Sequence, residues 1–214
     1  MAWPVLGPRA HGLGRRLLRA RAGHAHRPQR AGGGRSCRRG LSRALDAVAG
    51  NPQGDVSVVA FFDYNCPYCR KDVPALKKLM AADPNLRVVL KELPVLGPDS
   101  EAAARLALAA KNQGEYLTLY RRLIASRGRV TEARALAAAA AMGLDTDRLK
   151  DDMNDPAITA TLLANTRLAD ALGVRGVPFY LVGDQVVSEG DGDFYAALTA
   201  RVADVRQNGC RAAC

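Results

Sequence analysis

The sequence predicts an α/β fold in which an all-α insertion interrupts a small mixed sheet. Three observations carry this prediction. Residues 56–64 (VSVVAFFDY) form an apolar run that passes directly into a helical pattern and then a second apolar run, the order of a βαβ unit. Residues 100–172 are alanine- and leucine-rich with helical spacing. Two short apolar runs and a final helical pattern follow, reading as ββα.

The N-terminal stretch stands apart from this pattern. The 214 residues carry a formal charge of +10, yet eleven arginines and no lysine or acidic residue precede Asp46. Taking these eleven from the 31 basic residues leaves 20 against 21 acidic ones, a balance of about −1. The basic excess therefore belongs to a tail, and a nucleic-acid partner is not expected. All three histidines, His11, His24 and His26, lie in the tail. The rest of the chain is left without His-assisted nucleophilic catalysis and without a His-ligated metal site. No apolar run approaches the roughly 18 residues of a membrane span. No uninterrupted apolar stretch of an export signal is visible either, because Arg, His, Gly and Pro break every candidate. The acid-free, Arg-rich start shares its composition with organellar transit peptides and with GC-rich DNA read out of frame. Residues 1–40 are read as a disordered Arg-rich tail.

The elements follow in order. Leu41, Leu45 and Val48 share a helical spacing that Gly50-Asn51-Pro52 ends, so a short helix is expected there. Residues 56–64 read as a central strand buried on both faces. Pro67 suits the first position of the next helix, where a missing N–H costs nothing. That helix runs to about Ala82, with Val73, Leu76, Leu79 and Met80 inward and Pro74 as a kink. Residues 86–93 (LRVVLKEL) form the second strand after the turn Asp83-Pro84-Asn85. Breaks in the helical block fall near Gly114, Arg127-Gly128, Gly143 and Asp155-Pro156. Asp99 and Ser100 are expected to cap its first helix, and Thr131 a later one. Residues 178–182 and 185–188 form a hairpin turning at Gly183-Asp184, and residues 194–207 the last helix.

The chemistry concentrates in Cys66-Pro67-Tyr68-Cys69, at the junction of strand and helix. A sulfur placed there faces unpaired backbone N–H groups and the positive end of the helix dipole, and both favour thiolate over thiol. Lowering a thiol from about 8.5 into roughly the 3.5–7 range keeps it reactive at neutral pH. Cys69, one turn further in, is expected to be the more buried, resolving thiol. The competing readings are a zinc half-site and a chance pair of buried cysteines. Zinc needs four ligands, and only the distant Cys210 and Cys214 could complete the set. Cys37, Cys210 and Cys214 are given no catalytic role; the last two could form a tail disulfide or remain free. Gly176-Val177-Pro178 opens the third strand. Its proline is either an edge device or a cis proline facing the cysteine pair, exposing neighbouring backbone to an extended substrate. Phe61, Phe62 and Tyr64 read as core and groove wall. Lys77-Lys78 and Arg121-Arg122 read as solvated helix faces.

The segments FFDYNCPYCRKDVPALKKLM, KELPVLGPDS and GVRGVPFYLVG, in this order, resemble the DsbA-like thiol:disulfide oxidoreductases, in particular their copper-sensitivity-suppressor branch. The resemblance implies a thioredoxin-like fold with an inserted all-α helical domain and a cis bond before Pro178. It puts the nucleophile at Cys66, the resolving cysteine at Cys69 and a substrate-pairing backbone at Val177. Pro67, Tyr68 and Pro178 complete the expected substrate-facing set. It also implies no cofactor beyond the Cys66–Cys69 disulfide, protein substrates with cysteines, a redox partner protein, and a place in the periplasm or cell envelope. Oligomerisation is left open. Segments 41–98 and 173–209 become the two parts of the thioredoxin fold, 99–172 the helical insertion and 210–214 a tail. Three departures stand out, the first being that the family's signal and N-terminal helical arm are not recognisable in residues 1–40. Where the family often has a buried glutamate, this chain has Ala60, and Asp63 becomes the candidate proton relay. Where the best-known oxidases have histidine, Tyr68 cannot lend a positive charge. The expected activity is disulfide exchange with protein substrates, in the oxidase or isomerase direction. The rival reading is a non-catalytic, chaperone-like or peptide-binding module.

Overall fold

The computed structural model describes residues 46–187 and 193–211. The expectations for residues 1–40, for Leu41 and Leu45, for Cys37 and for Cys214 fall outside these residues. The described part begins with a strand, β1 (Ala47–Gly50), where the spacing around Val48 predicts a helix. Ala47 and Ala49 are buried while Val48 is half-buried, a period of two instead of 3.6. β1 pairs antiparallel with β3 (Leu86–Glu92), Ala47 opposite Leu90 and Gly50 opposite Arg87. Asp46, just ahead of β1, forms a buried ion pair with Lys91 of β3 at 2.7 Å. Four residues are too few for periodicity to reveal, and their partner lies some forty positions away.

The sheet runs β1-β3-β2-β4-β5. Its centre is β2 (Val56–Phe62), buried at every position and parallel to β3. The hairpin β4 (Phe179–Val182) and β5 (Gln185–Val187) adds antiparallel strands on the other side of β2. Gly183 makes its turn with φ +60, and a side chain there would meet the Cys210 sulfur at 3.0 Å. Cys210 is disulfide-bonded.

Helices cover both faces because β2 alternates its side chains between them. Val58, Ala60 and Phe62 share a core with Leu76 and Leu79 of α1 (Pro67–Ala82) and Leu198, Val202 and Val205 of the C-terminal helix, α7 (Phe194–Asn208). Val59 and Phe61 meet Leu168 and Ala169 on the opposite face. These two belong to α6 (Pro156–Ala171), the last helix of the block inserted between β3 and β4. The rest of that block is α2 (Pro98–Ala109) with a short 3-10 turn, α3 (Tyr116–Ile124), α4 (Glu132–Ala140) and α5 (Thr146–Asp152). Thr131 caps α4 as expected, its hydroxyl accepting from the Arg134 N–H. The cap expected of Asp99 and Ser100 is not made: Gly97 is the cap residue of α2 and has no side-chain bond. The Ser100 hydroxyl is used elsewhere, as described below. The architecture is thioredoxin-like with an inserted helical domain. No helix among the described residues is long and apolar enough to cross a membrane.

Candidate active site

Strand β2 aims the chain at the site, and the three residues after it hold the turn. Asp63 is buried, and its carboxylate accepts three hydrogen bonds: from Asn65 N–H at 2.7 Å, from the Ser100 hydroxyl at 2.8 Å and from Leu96 N–H at 3.0 Å. Asn65 reaches across to the insertion. Its amide oxygen accepts from Val130 N–H at 2.7 Å, and its amide nitrogen donates to Val130 O at 3.1 Å. Arg70 braces the same loop, donating to Tyr64 O at 2.8 Å and to Gly128 O at 2.7 Å. The segment entering Cys66 is thus held by side chains from several elements, so the sulfur's position is set before any substrate arrives.

Cys66 is the cap residue of α1 and Pro67 its first helical residue. The Cys66 sulfur accepts a hydrogen bond from Cys69 N–H at 3.3 Å and donates to Val177 O at 3.3 Å. The Val177–Pro178 peptide bond is cis, the isomer the resemblance implies. These contacts bring Cys66, Cys69 and Val177 together although the first and last lie 111 residues apart. Both cysteines are free thiols. Greater burial does not distinguish them, since Cys66 is 3% exposed and Cys69 2%. Bonding and electrostatics do. Burial pushes the Cys69 thiol far above the usual thiol range, and the neighbouring Cys66 adds to the shift. Pro67 and Tyr68 face solvent, Tyr68 with 61% of its surface exposed. Val95 and Leu96 are exposed on the loop that Asp63 tethers.

Sequence reasoning missed the supports of this site. Asn65 and Ser100 carry ordinary loop and cap signals, and nothing local says which atoms they meet. Beneath the loop, Glu92 at the end of β3 is 1% exposed and accepts from the Tyr64 hydroxyl at 2.9 Å and the Tyr116 hydroxyl at 2.7 Å. Burial raises its carboxyl to about 8. Asp72 on α1 and Tyr180 on β4 are also buried, at 2% and 3%. Among the described residues no group of three or more His, Cys, Asp or Glu side chains could hold a metal ion. Chemically, the arrangement pairs two thiols on one helical turn beside the half-buried Val177–Pro178 backbone, a layout suited to forming and breaking a disulfide.

Comparison with known proteins agrees with this geometry. A thioredoxin-like oxidoreductase from Silicibacter pomeroyi, solved by crystallography, is 41% identical with a TM-score of 0.74, covering 78% of this chain and 95% of that one. A periplasmic thioredoxin-like protein from Salmonella enterica is 27% identical with a TM-score of 0.67, covering 77% of this chain and 91% of that one. A Na(+)/H(+) antiporter NhaA 1 from Salinispora arenicola is 32% identical over 139 residues, 64% of this chain but only 21% of the antiporter. Across the curated relatives it matches, the chain spans between 21% and 54% of their length. The sequence model of the DSBA-like thioredoxin domain matches residues 57–194, which include both cysteines and the cis proline. With the fold and the sulfur site in agreement, the chain belongs to the DsbA-like thioredoxin-domain family.

Proposed function

We propose that the protein exchanges disulfides with protein substrates through Cys66 and Cys69. The observation that carries this reading is the Cys66 sulfur itself, which accepts the Cys69 N–H and touches Val177 O beside the cis proline. Sulfur attacks or leaves as a thiolate, and the Cys69 N–H is already aimed at the atom that would do so. In the oxidising direction a substrate thiolate attacks Cys66 of the Cys66–Cys69 disulfide. The disulfide breaks, and Cys69 leaves as a thiolate and takes up a proton. A second substrate thiolate then attacks the substrate sulfur of the mixed disulfide and releases Cys66. The substrate loses two electrons and two protons, and the sulfur pair gains the electrons. No group beyond the pair is needed to carry them. In the isomerase direction reduced Cys66 attacks first and Cys69 resolves the stalled intermediate.

Val177 backbone, Pro178, Pro67 and Tyr68 form the face for an extended substrate segment, joined by the exposed Val95 and Leu96. Asp63 holds the site in place: with three donors on its carboxylate, it orients the loop that presents Cys66. A partner protein re-oxidises or re-reduces the pair. The name of the Salmonella relative supports a place in the periplasm or cell envelope. Insulin reduction and refolding of a scrambled, disulfide-bonded substrate test the reading. Cys66→Ser is expected to abolish both activities. Catalysis that survives this substitution would leave only a non-catalytic, peptide-binding role.

A further inference from the structure

Beside the sulfur pair lies a band of arginines whose charges the exchange reading does not use. Arg70, next after Cys69, donates through Nε to Tyr64 O at 2.8 Å and through Nη1 to Gly128 O at 2.7 Å. Arg134 grips the same loop from α4, through Nη1 to Arg129 O at 3.0 Å and through Nη2 to Arg127 O at 2.7 Å. Arg129 donates to Leu96 O at 3.3 Å and pairs with Asp99. Val130 bonds in both directions with Asn65, the residue before Cys66. Direct contacts therefore run unbroken from Arg134 to the turn that carries the sulfur, and Arg129 borders the exposed Val95 and Leu96. Exposed Arg175 precedes Val177 by two residues, and the Val177 carbonyl meets the Cys66 sulfur at 3.3 Å.

These charges are held in place but only in part neutralised. A carbonyl oxygen orients a guanidinium by its dipole and brings no net charge, so Arg70 and Arg134 keep theirs. Arg70 Nη2 is buried and has no hydrogen-bond partner among the described residues. Arg127 and Arg175 are exposed, and neither forms an ion pair among the described residues. The loops of the band supply two surface carboxylates of their own: Asp99, paired with Arg129, and Glu132 in the first turn of α4. Outside the N-terminal tail the chain balances to about −1, so this excess of arginine is a local feature.

We propose that the band selects, among the protein substrates of the exchange reading on which this inference rests, those whose reactive cysteine is flanked by aspartate and glutamate. A concentrated positive field beside the sulfur raises the encounter rate with acidic segments and lowers it with basic ones. A guanidinium fork also matches a carboxylate through two parallel hydrogen bonds. Arg127 and Arg175 offer their forks to such carboxylates. Arg70 and Arg134, anchored to carbonyls, contribute field.

The test uses the full chain with Cys66 and Cys69 oxidised, and two peptides of equal length that each carry a pair of cysteines. In one peptide the cysteines stand among Asp and Glu, in the other among Lys and Arg. Each rate of peptide oxidation is divided by that peptide's rate with 2-hydroxyethyl disulfide, an uncharged reagent. This removes the effect of flanking charge on the peptide's own thiols. The corrected acidic-to-basic ratio is expected to be roughly 10 at about 10 mM salt and to approach 1 at about 1 M, where screening acts within ~3 Å. Arg127→Glu and Arg175→Glu should each lower the low-salt ratio roughly threefold. Either variant carries the test should the other fail to fold, and a ratio within one protein cancels any change in sulfur reactivity. A ratio near 1 at low salt, one that salt leaves unaltered, or one that both folded variants leave unaltered overturns the substrate preference while leaving the exchange reading intact. Oxidation of neither peptide by the unsubstituted protein overturns both.

Discussion

At the scale of single residues, the site is a set of buried polar groups whose energetics depend on what faces them. Glu92 is the clearest case. Its ordinary value near 4.5 rises to about 8 because the carboxylate loses water on folding, and two tyrosine hydroxyls offset only part of that loss. Between these two values the folded chain binds a proton that the unfolded chain has released. Stability must therefore fall as pH rises from about 4.5 to 8 and then level off. Glu92→Gln, which cannot ionise, is expected to flatten this slope. At pH 8.5 it should be the more stable protein by roughly 4–5 kcal/mol, and at pH 4.5 nearly equal. Urea unfolding of both proteins at the two pH values measures this, and parallel pH profiles would refute it. Asp63 differs in its bonding, with three donors on its carboxylate. Cys69 has no comparable set of donors, and its thiol is pushed up instead.

At the scale of elements, the loop between β2 and α1 matters more than either neighbour. It is short, and a free loop of that length would leave Cys66 poorly placed. Asn65 prevents this by bonding Val130 in both directions and touching Ser100 at 3.1 Å. It ties the turn that carries Cys66 to the insertion 65 residues away. Asn65→Ala leaves the Val130 N–H without its partner, so a loss of about 2 kcal/mol of stability is expected. Exchange activity should fall further than stability alone explains, because Cys66 and Val177 O would lose their common frame. Insulin reduction assayed well below the unfolding midpoint separates the two effects. Much of the chain is legible at this level from its sequence. β2, α1, β3, the hairpin and the last helix lie where periodicity and the Pro and Gly breaks put them, within a residue or two. Val48 and Ser100 depart from their local patterns, each for an identifiable reason. Val48 joins a strand because β3 offers an unpaired edge. Ser100 serves the site instead of a cap because Asp63, 37 positions earlier, needs a donor.

At the scale of the whole molecule, the buried Asp46–Lys91 pair closes the sheet. Each side chain is at most 2% exposed, so removing one takes a buried charge away from its ion-pair partner. Lys91→Met is expected to cost about 3–5 kcal/mol and to detach β1 from β3. Replacing both, as Asp46→Leu with Lys91→Met, should recover most of that loss. Denaturant unfolding of the single and double variants checks this, and a double variant as unstable as the single one would contradict it.

Features that depend on neighbours along the chain are legible in the residues themselves. A buried strand running into Cys66-Pro67 sets a thiol at a helix start, and the turn residues after it mark each later boundary. The family resemblance could be read from the same local segments. The partners of Asp63, Asn65 and Glu92, and the strand at Ala47–Gly50, emerge only once the chain is folded. Those choices come from filling a core and satisfying buried polar atoms across separations of tens of residues, and no local pattern encodes such matches.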